Sequence, residues 1–140
     1  MTLSISDINK QRKHFSKIGF IYLIFSIMCI ILGAVYEHYS HGIYSYYMIY
    51  AFIFPLCFGT FPFIALSIYG YISFPKRISL NLYNSGIATL TVGSIMEGVL
   101  EIYGTENSLL RIFWIVGVLL SGSGLLIYVT TSKNLKINKI

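Results

Sequence analysis

Two glutamates near the end of the third apolar segment are the residues of this chain whose positions most suggest chemistry. Glu97 and Glu101 are four residues apart, so on a helix they lie on similar faces. Glu101 falls at the edge of the apolar segment, whereas Glu97 falls one turn deeper, where no basic residue of the apolar segments matches its depth. A charged carboxylate inside a bilayer is costly, so Glu97 must be protonated, face water or contact a ligand. The sequence therefore leaves two interpretations of Glu97 open: a protonated side chain that is hydrogen-bonded within the protein, or a ligand site formed together with Glu101.

A basic residue and several aromatic residues lie near the same boundary. Arg111 begins the fourth apolar segment at about the depth of Glu101, and only a short turn separates the two segments. We therefore predict a Glu101–Arg111 ion pair. Aromatic side chains are common at membrane boundaries, but they are denser here than anchoring requires. We predict that Tyr50, Tyr103 and Trp114 line the ligand pocket with the two glutamates.

A second cluster follows the first apolar segment, where Glu37 precedes His38 and His41. On a continuing helix the two imidazoles would share a face, and imidazole and carboxylate are ligands for zinc or copper. Three such residues are fewer than a recognised motif requires, so a solvated loop is the favoured interpretation and a metal stays open. The sequence identifies no cofactor.

The remaining composition argues against an enzyme. Asp7 is the only aspartate, and no nucleophile with a nearby acid–base partner stands out. Cys29 and Cys57 are the only cysteines, and they do not form the Cys-x-x-Cys pair of a thiol oxidoreductase. We predict that both are buried free thiols.

The elements that position these residues are four apolar segments, each long enough to cross a bilayer. They cover residues 18–36, 47–72, 82–103 and 109–131. The predicted fold is an all-α integral membrane four-helix bundle built from two antiparallel hairpins, because short loops make consecutive spans neighbours. A basic amphipathic leader (1–17), with a helix from about Ser6 or Asp7, precedes this single domain, and a basic tail (132–140) follows it.

Charge predicts the orientation. Nine of the ten Lys and Arg residues lie before span one, between spans two and three, or after span four. Four spans bring those regions to one side, which the positive-inside rule makes cytoplasmic, together with both termini. The net charge of +5 is therefore a topology signal and does not indicate nucleic acid. We predict a multi-pass protein of the cell membrane.

Small residues and prolines predict how the spans pack. Pro55 and Pro62 should kink span two. Small residues at four-residue spacing allow membrane helices to approach closely. In span three we expect this seam to contain Ser85, Thr89 and Gly93, and in span four Gly117, Ser121 and Gly124.

The segments YEHYSHGIYSYYMIYAF and GIATLTVGSIMEGVLEIYGT resemble small four-span bacterial membrane proteins of unassigned function. The resemblance implies a bacterial cytoplasmic membrane and no mechanism. Two functions remain open. The protein binds or transports a cation, a proton or a small polar ligand through an outer-facing pocket around Glu97. Alternatively, it is a non-catalytic accessory subunit in a homo-oligomer or a larger membrane complex.

Overall fold

The computed structural model describes residues 5–69 and 75–137, and this part of the chain contains helices and no strands. Helix α1 is the longest of the described helices, and the short helix α2 begins the second apolar segment. The α-helices are α1 (Ile5–Tyr39), α2 (Tyr46–Tyr50), α3 (Phe61–Tyr69), α4 (Arg77–Ile102) and α5 (Arg111–Ile137). A π-helical segment, Phe54–Thr60, precedes α3, and a 3₁₀ turn, Ser108–Leu110, precedes α5.

Four of the described helical stretches are long and apolar enough to span a membrane, so the predicted all-α four-helix bundle is confirmed. The four spans are Ile8–Tyr39, Tyr46–Ile68, Arg77–Ile102 and Ser108–Ser132. The described residues of the basic leader form the first turns of α1, which continues into span one without a break. A helix of 35 residues is about 52 Å long, which exceeds the roughly 30 Å hydrocarbon thickness.

The spans pack as two hairpins. Spans three and four have the most extensive contact, and span two lies against both span one and span three. Spans one and three are joined by a hydrogen bond of 2.8 Å from the Tyr22 hydroxyl to Asn84 Oδ1. We call the end that carries residues 5–17 and 75–77 the basic end, and the end that carries the loops 40–45 and 103–107 the loop end.

Span two is interrupted, as its prolines predict. Helix α2 ends at Tyr50, a turn follows, and the π-helical segment begins beside Pro55. Each proline lacks the backbone N–H that would continue the helical hydrogen bonds. In a bilayer the carbonyl groups left without this donor need other partners.

Span three donates hydrogen bonds to two carbonyl groups of span two through hydroxyl groups. The Tyr83 hydroxyl donates to the carbonyl oxygen of Phe58 at 2.7 Å, and Phe58 is the residue that Pro62 would contact in an α-helix. The Ser94 hydroxyl donates to the carbonyl oxygen of Tyr47, near the start of α2, at 2.7 Å. Tyr83 of span three therefore compensates for the N–H group that Pro62 lacks in span two.

Replacing Tyr83 by phenylalanine is expected to lower the free energy of unfolding by about 1 kcal/mol, because Phe58 loses its donor. The loss should shrink in a Pro62→Ala background, where a backbone N–H is restored. Tyr128→Phe is the matched control, since the Tyr128 hydroxyl is buried and has no hydrogen-bond partner among the described residues. Equal losses for Tyr83→Phe and Tyr128→Phe, measured by denaturant titration in micelles, would contradict this assignment.

The contact between spans three and four depends on glycines. A Cβ atom added at Gly86 would lie 2.4 Å from the backbone nitrogen of Ser121, and one added at Gly124 would lie 2.7 Å from that of Tyr83. Gly93 and Gly117 also face the opposite helix at close range. These positions confirm close packing at Gly93, Gly117, Ser121 and Gly124.

The predicted seam on span three was wrong at two positions. Ser85 is exposed and Thr89 is only half-buried, whereas Gly86 and Leu90 are buried. The Thr89 hydroxyl instead bonds the carbonyl of Ser85 within its own helix, at 2.7 Å. The contact surface lies one residue further along, and its spacing alternates between three and four residues, as it does between helices that pack at a shallow angle.

Candidate functional site

A cavity of about 360 Å³ lies at the loop end, between the end of span three and the start of span four. Its wall combines acidic, basic and neutral polar side chains with backbone from the connecting turn. The residues that line it are Tyr47, Glu97, Leu100, Glu101, Gly104, Thr105, Glu106, Asn107, Ser108, Leu110 and Arg111. Glu97, around which a pocket was predicted, is one of the residues that line this cavity.

Glu97 is half-buried and has a partner that the sequence did not assign to it. The indole Nε1 of Trp114, in span four, donates a hydrogen bond of 2.8 Å to Glu97 Oε2. The Trp114 ring is held edge-on to Phe54, with ring centroids 5.6 Å apart, and it also contacts Tyr47 at 6.3 Å. The bond uses one carboxylate oxygen of Glu97, which leaves the second to take part in binding.

Glu101 is held by the residue that immediately precedes the second span. The Ser45 hydroxyl donates to Glu101 Oε2 at 2.5 Å, and Ser45 Oγ accepts the backbone N–H of Met48 as the cap of α2. Ser45 is completely buried. The backbone of α2 comes this close to span three because Gly98 has no side chain, and a Cβ there would lie 2.8 Å from the Met48 nitrogen.

The structure brings together some of the predicted site residues and separates others. Glu97, Glu101 and Arg111 line the cavity, and Trp114 bonds Glu97. Tyr50 and Tyr103 do not line it. Tyr50 stacks on Tyr46, one turn away on the exposed face of α2, at 6.3 Å.

Tyr103 lies near Tyr36 of span one. The tyrosine that faces the cavity is Tyr47, which lies on the side of α2 that faces Trp114. Ser45 and Glu106 were also missed. Ser45 immediately precedes an aromatic run, and a serine in that place commonly caps a helix, so the sequence could have identified Ser45. No comparable sequence pattern indicates Glu106.

The Glu101–Arg111 ion pair stays a prediction, and both side chains line the same cavity. Arg111→Gln is expected to cost about 1 kcal/mol of unfolding free energy or less, since both residues are exposed. Adding Glu101→Gln should recover part of that loss. If the double variant loses as much as the two single variants together, in thermal unfolding, the pair does not interact.

The histidine cluster is not assembled into a metal site. Among the described residues, no group of three or more His, Cys, Asp or Glu side chains could hold a metal ion. His38 lies edge-on to Tyr39 at 5.4 Å, and His41 is exposed in a turn with a positive φ of 55°. Glu37 has one buried carboxylate oxygen that has no hydrogen-bond partner in the described structure.

No family model, curated protein or solved structure matches this chain. The fold and the spans define it as a multi-pass helical membrane protein.

Proposed function

We propose that the protein binds a small organic cation in the loop-end cavity around Glu97. The observation that carries this proposal is the composition of the cavity wall. Three of the five acidic residues of the chain, Glu97, Glu101 and Glu106, line it with one basic residue, Arg111. Their formal charges sum to −2, so a dication is the complementary ligand.

The shape and the aromatic residues favour an organic cation over a metal ion. A bound metal ion needs several ligand oxygens that converge on one point, whereas these carboxylates are spread along the end of span three and the following turn. No three of the described acidic, histidine or cysteine side chains converge in that way. Tyr47 offers an aromatic ring at the wall, which attracts alkylammonium groups through its π face. A volume of about 360 Å³ accommodates a short diamine.

The test uses putrescine, a four-carbon dication, with two analogues of similar length. Butylamine carries one charge and 1,4-butanediol carries none. With the purified protein in nonionic micelles at constant ionic strength, putrescine should raise the melting temperature most, butylamine less and butanediol not at all. If putrescine stabilises the protein no more than butanediol does, the proposal fails.

Binding at this cavity fits a transport role whose ligand enters from outside the cell. The positive-inside rule supports this orientation, because nine of the ten basic residues lie away from the loop end. A cysteine placed at Ser40 should then react with an impermeant maleimide in intact cells, and one placed at Lys76 only after permeabilisation. Labelling of position 76 in intact cells would contradict the orientation.

A second candidate function is that of an accessory subunit in a homo-oligomer or a larger membrane complex. A lateral cavity of about 460 Å³ between spans one and three, lined mainly by apolar side chains, favours it. Cys29 lies in its wall. Both cysteines are free thiols as predicted, but the predicted burial was wrong, because Cys29 is half-buried and Cys57 is exposed. This function predicts that a stoichiometric partner co-purifies with the protein from membranes. Loss of that partner when Ala88 in this wall is replaced by tryptophan would support this function over cation binding.

A further inference from the structure

The basic end contains a second cavity, of about 650 Å³, beside the first turns of α1. Its lining changes from basic and polar to apolar along the helix. The residues that line it are Asn9, Arg12, Lys13, Ser16, Lys17, Phe20 and Ser67. All but Ser67 fall at spacings of three or four residues on α1, so they form one face of that helix.

Charge is the first argument for a ligand. Arg12, Lys13 and Lys17 give the described wall three positive charges, and none of the residues that line it is acidic. Basic clusters at the cytoplasmic ends of membrane helices attract anionic lipid headgroups. A phosphate group between these side chains would neutralise charges that otherwise repel one another.

The second argument is the fixed position of Arg12. Its Nε donates to the carbonyl oxygen of Ser67 at 3.2 Å, and the Ser67 hydroxyl donates to the carbonyl oxygen of Arg12 at 3.0 Å. These reciprocal bonds tie the start of span one to the end of span two. They also hold the guanidinium group at the cavity wall, where its terminal nitrogens can bind a phosphate.

The third argument identifies the ligand as a lipid and not a soluble phosphate. Phe20 lies in the cavity wall and is 61% exposed, one turn beyond Lys17 and inside the apolar run of span one. The exposed side chains of Ile21 and Ile24 continue this surface toward the bilayer centre. The wall therefore offers basic groups at headgroup depth and an apolar surface at acyl-chain depth.

We propose that this cavity is a specific binding site for one anionic phospholipid, whose phosphate contacts Arg12, Lys13 and Lys17 and whose acyl chain lies along Phe20. The site is separate from the loop-end cavity and does not depend on the function proposed for it. Bound lipid would join spans one and two at the basic end, beside the Arg12–Ser67 bonds.

The test compares two double variants that remove equal charge from the basic end. Lys13→Gln with Lys17→Gln neutralises the cavity and leaves the Arg12–Ser67 bonds in place. Lys76→Gln with Arg77→Gln neutralises two residues that do not line the cavity. Native mass spectrometry of the full chain, in micelles with equal amounts of phosphatidylglycerol and phosphatidylcholine, measures the bound lipid.

For the wild-type chain we expect one phosphatidylglycerol to be retained in preference to phosphatidylcholine. The cavity variant should bind phosphatidylglycerol about tenfold more weakly or worse, and the control variant should stay within about threefold of wild type. If both variants lose the same affinity for phosphatidylglycerol, the lipid is attracted by the overall charge of the basic end. That result would overturn the proposal. If inorganic phosphate at constant ionic strength stabilises the protein as much as the lipid does, the ligand is a soluble phosphate. That result would also overturn the proposal.

Discussion

Replacing Gly86 by alanine is expected to destabilise the protein by about 2–3 kcal/mol, although the change adds a single methyl group. The added Cβ would lie 2.4 Å from the backbone nitrogen of Ser121 and 2.8 Å from the carbonyl oxygen of Gly117. Both are backbone atoms of span four, so no side-chain rotation can relieve the overlap. The two helices must separate, which loosens their whole contact surface.

The matched control is Gly122→Ala, one residue beyond Ser121 in span four. A Cβ there meets no other described atom within 4 Å. Alanine favours a helix over glycine by up to about 1 kcal/mol, so this variant should be neutral or slightly more stable. Unfolding of both variants by denaturant in micelles is the measurement. Equal destabilisation at the two positions would show that spans three and four do not pack through Gly86.

Replacing Glu97 by glutamine is expected to weaken putrescine binding by about 30-fold or more, which corresponds to about 2 kcal/mol. The change removes one of the three carboxylates that line the loop-end cavity. Folding should be nearly unaffected, because the glutamine carbonyl can still accept the hydrogen bond from the Trp114 indole. Titration calorimetry of purified protein measures the affinity, and thermal unfolding measures the stability.

Glu37→Gln is the control for this prediction. It removes the same charge from the loop end, but Glu37 does not line the cavity. Putrescine affinity should therefore change less than about threefold in this variant. If Glu97→Gln binds putrescine as wild type does, Glu97 is a structural partner of Trp114 and the cation-binding proposal fails. If both variants weaken binding equally, the attraction comes from the overall charge of the loop end and not from the cavity.

The sequence by itself determined the four spans, the pairing of spans three and four as a hairpin, and the need of Glu97 for a partner. Span length and hydropathy are local properties that can be read from the sequence. A turn as short as residues 104–108 requires the helices on either side of it to be neighbours. Glu97 stood out for a similar reason, since a carboxylate at that depth needs a partner wherever its helix faces.

Only the tertiary structure decided which way each helix faces. In a helix of a soluble protein, the polar face marks the side that meets solvent. Here the lipid-facing and protein-facing sides are both apolar, so the sequence pattern hardly indicates how each helix is rotated about its own axis. A shift of one residue turns a helix by about 100°. That is why the seam contains Gly86 and Leu90 where Ser85 and Thr89 were expected, and why Tyr47 lines the cavity in place of Tyr50. The contacts of Glu97 with Trp114 and of Glu101 with Ser45 join different spans, so packing alone could bring them together.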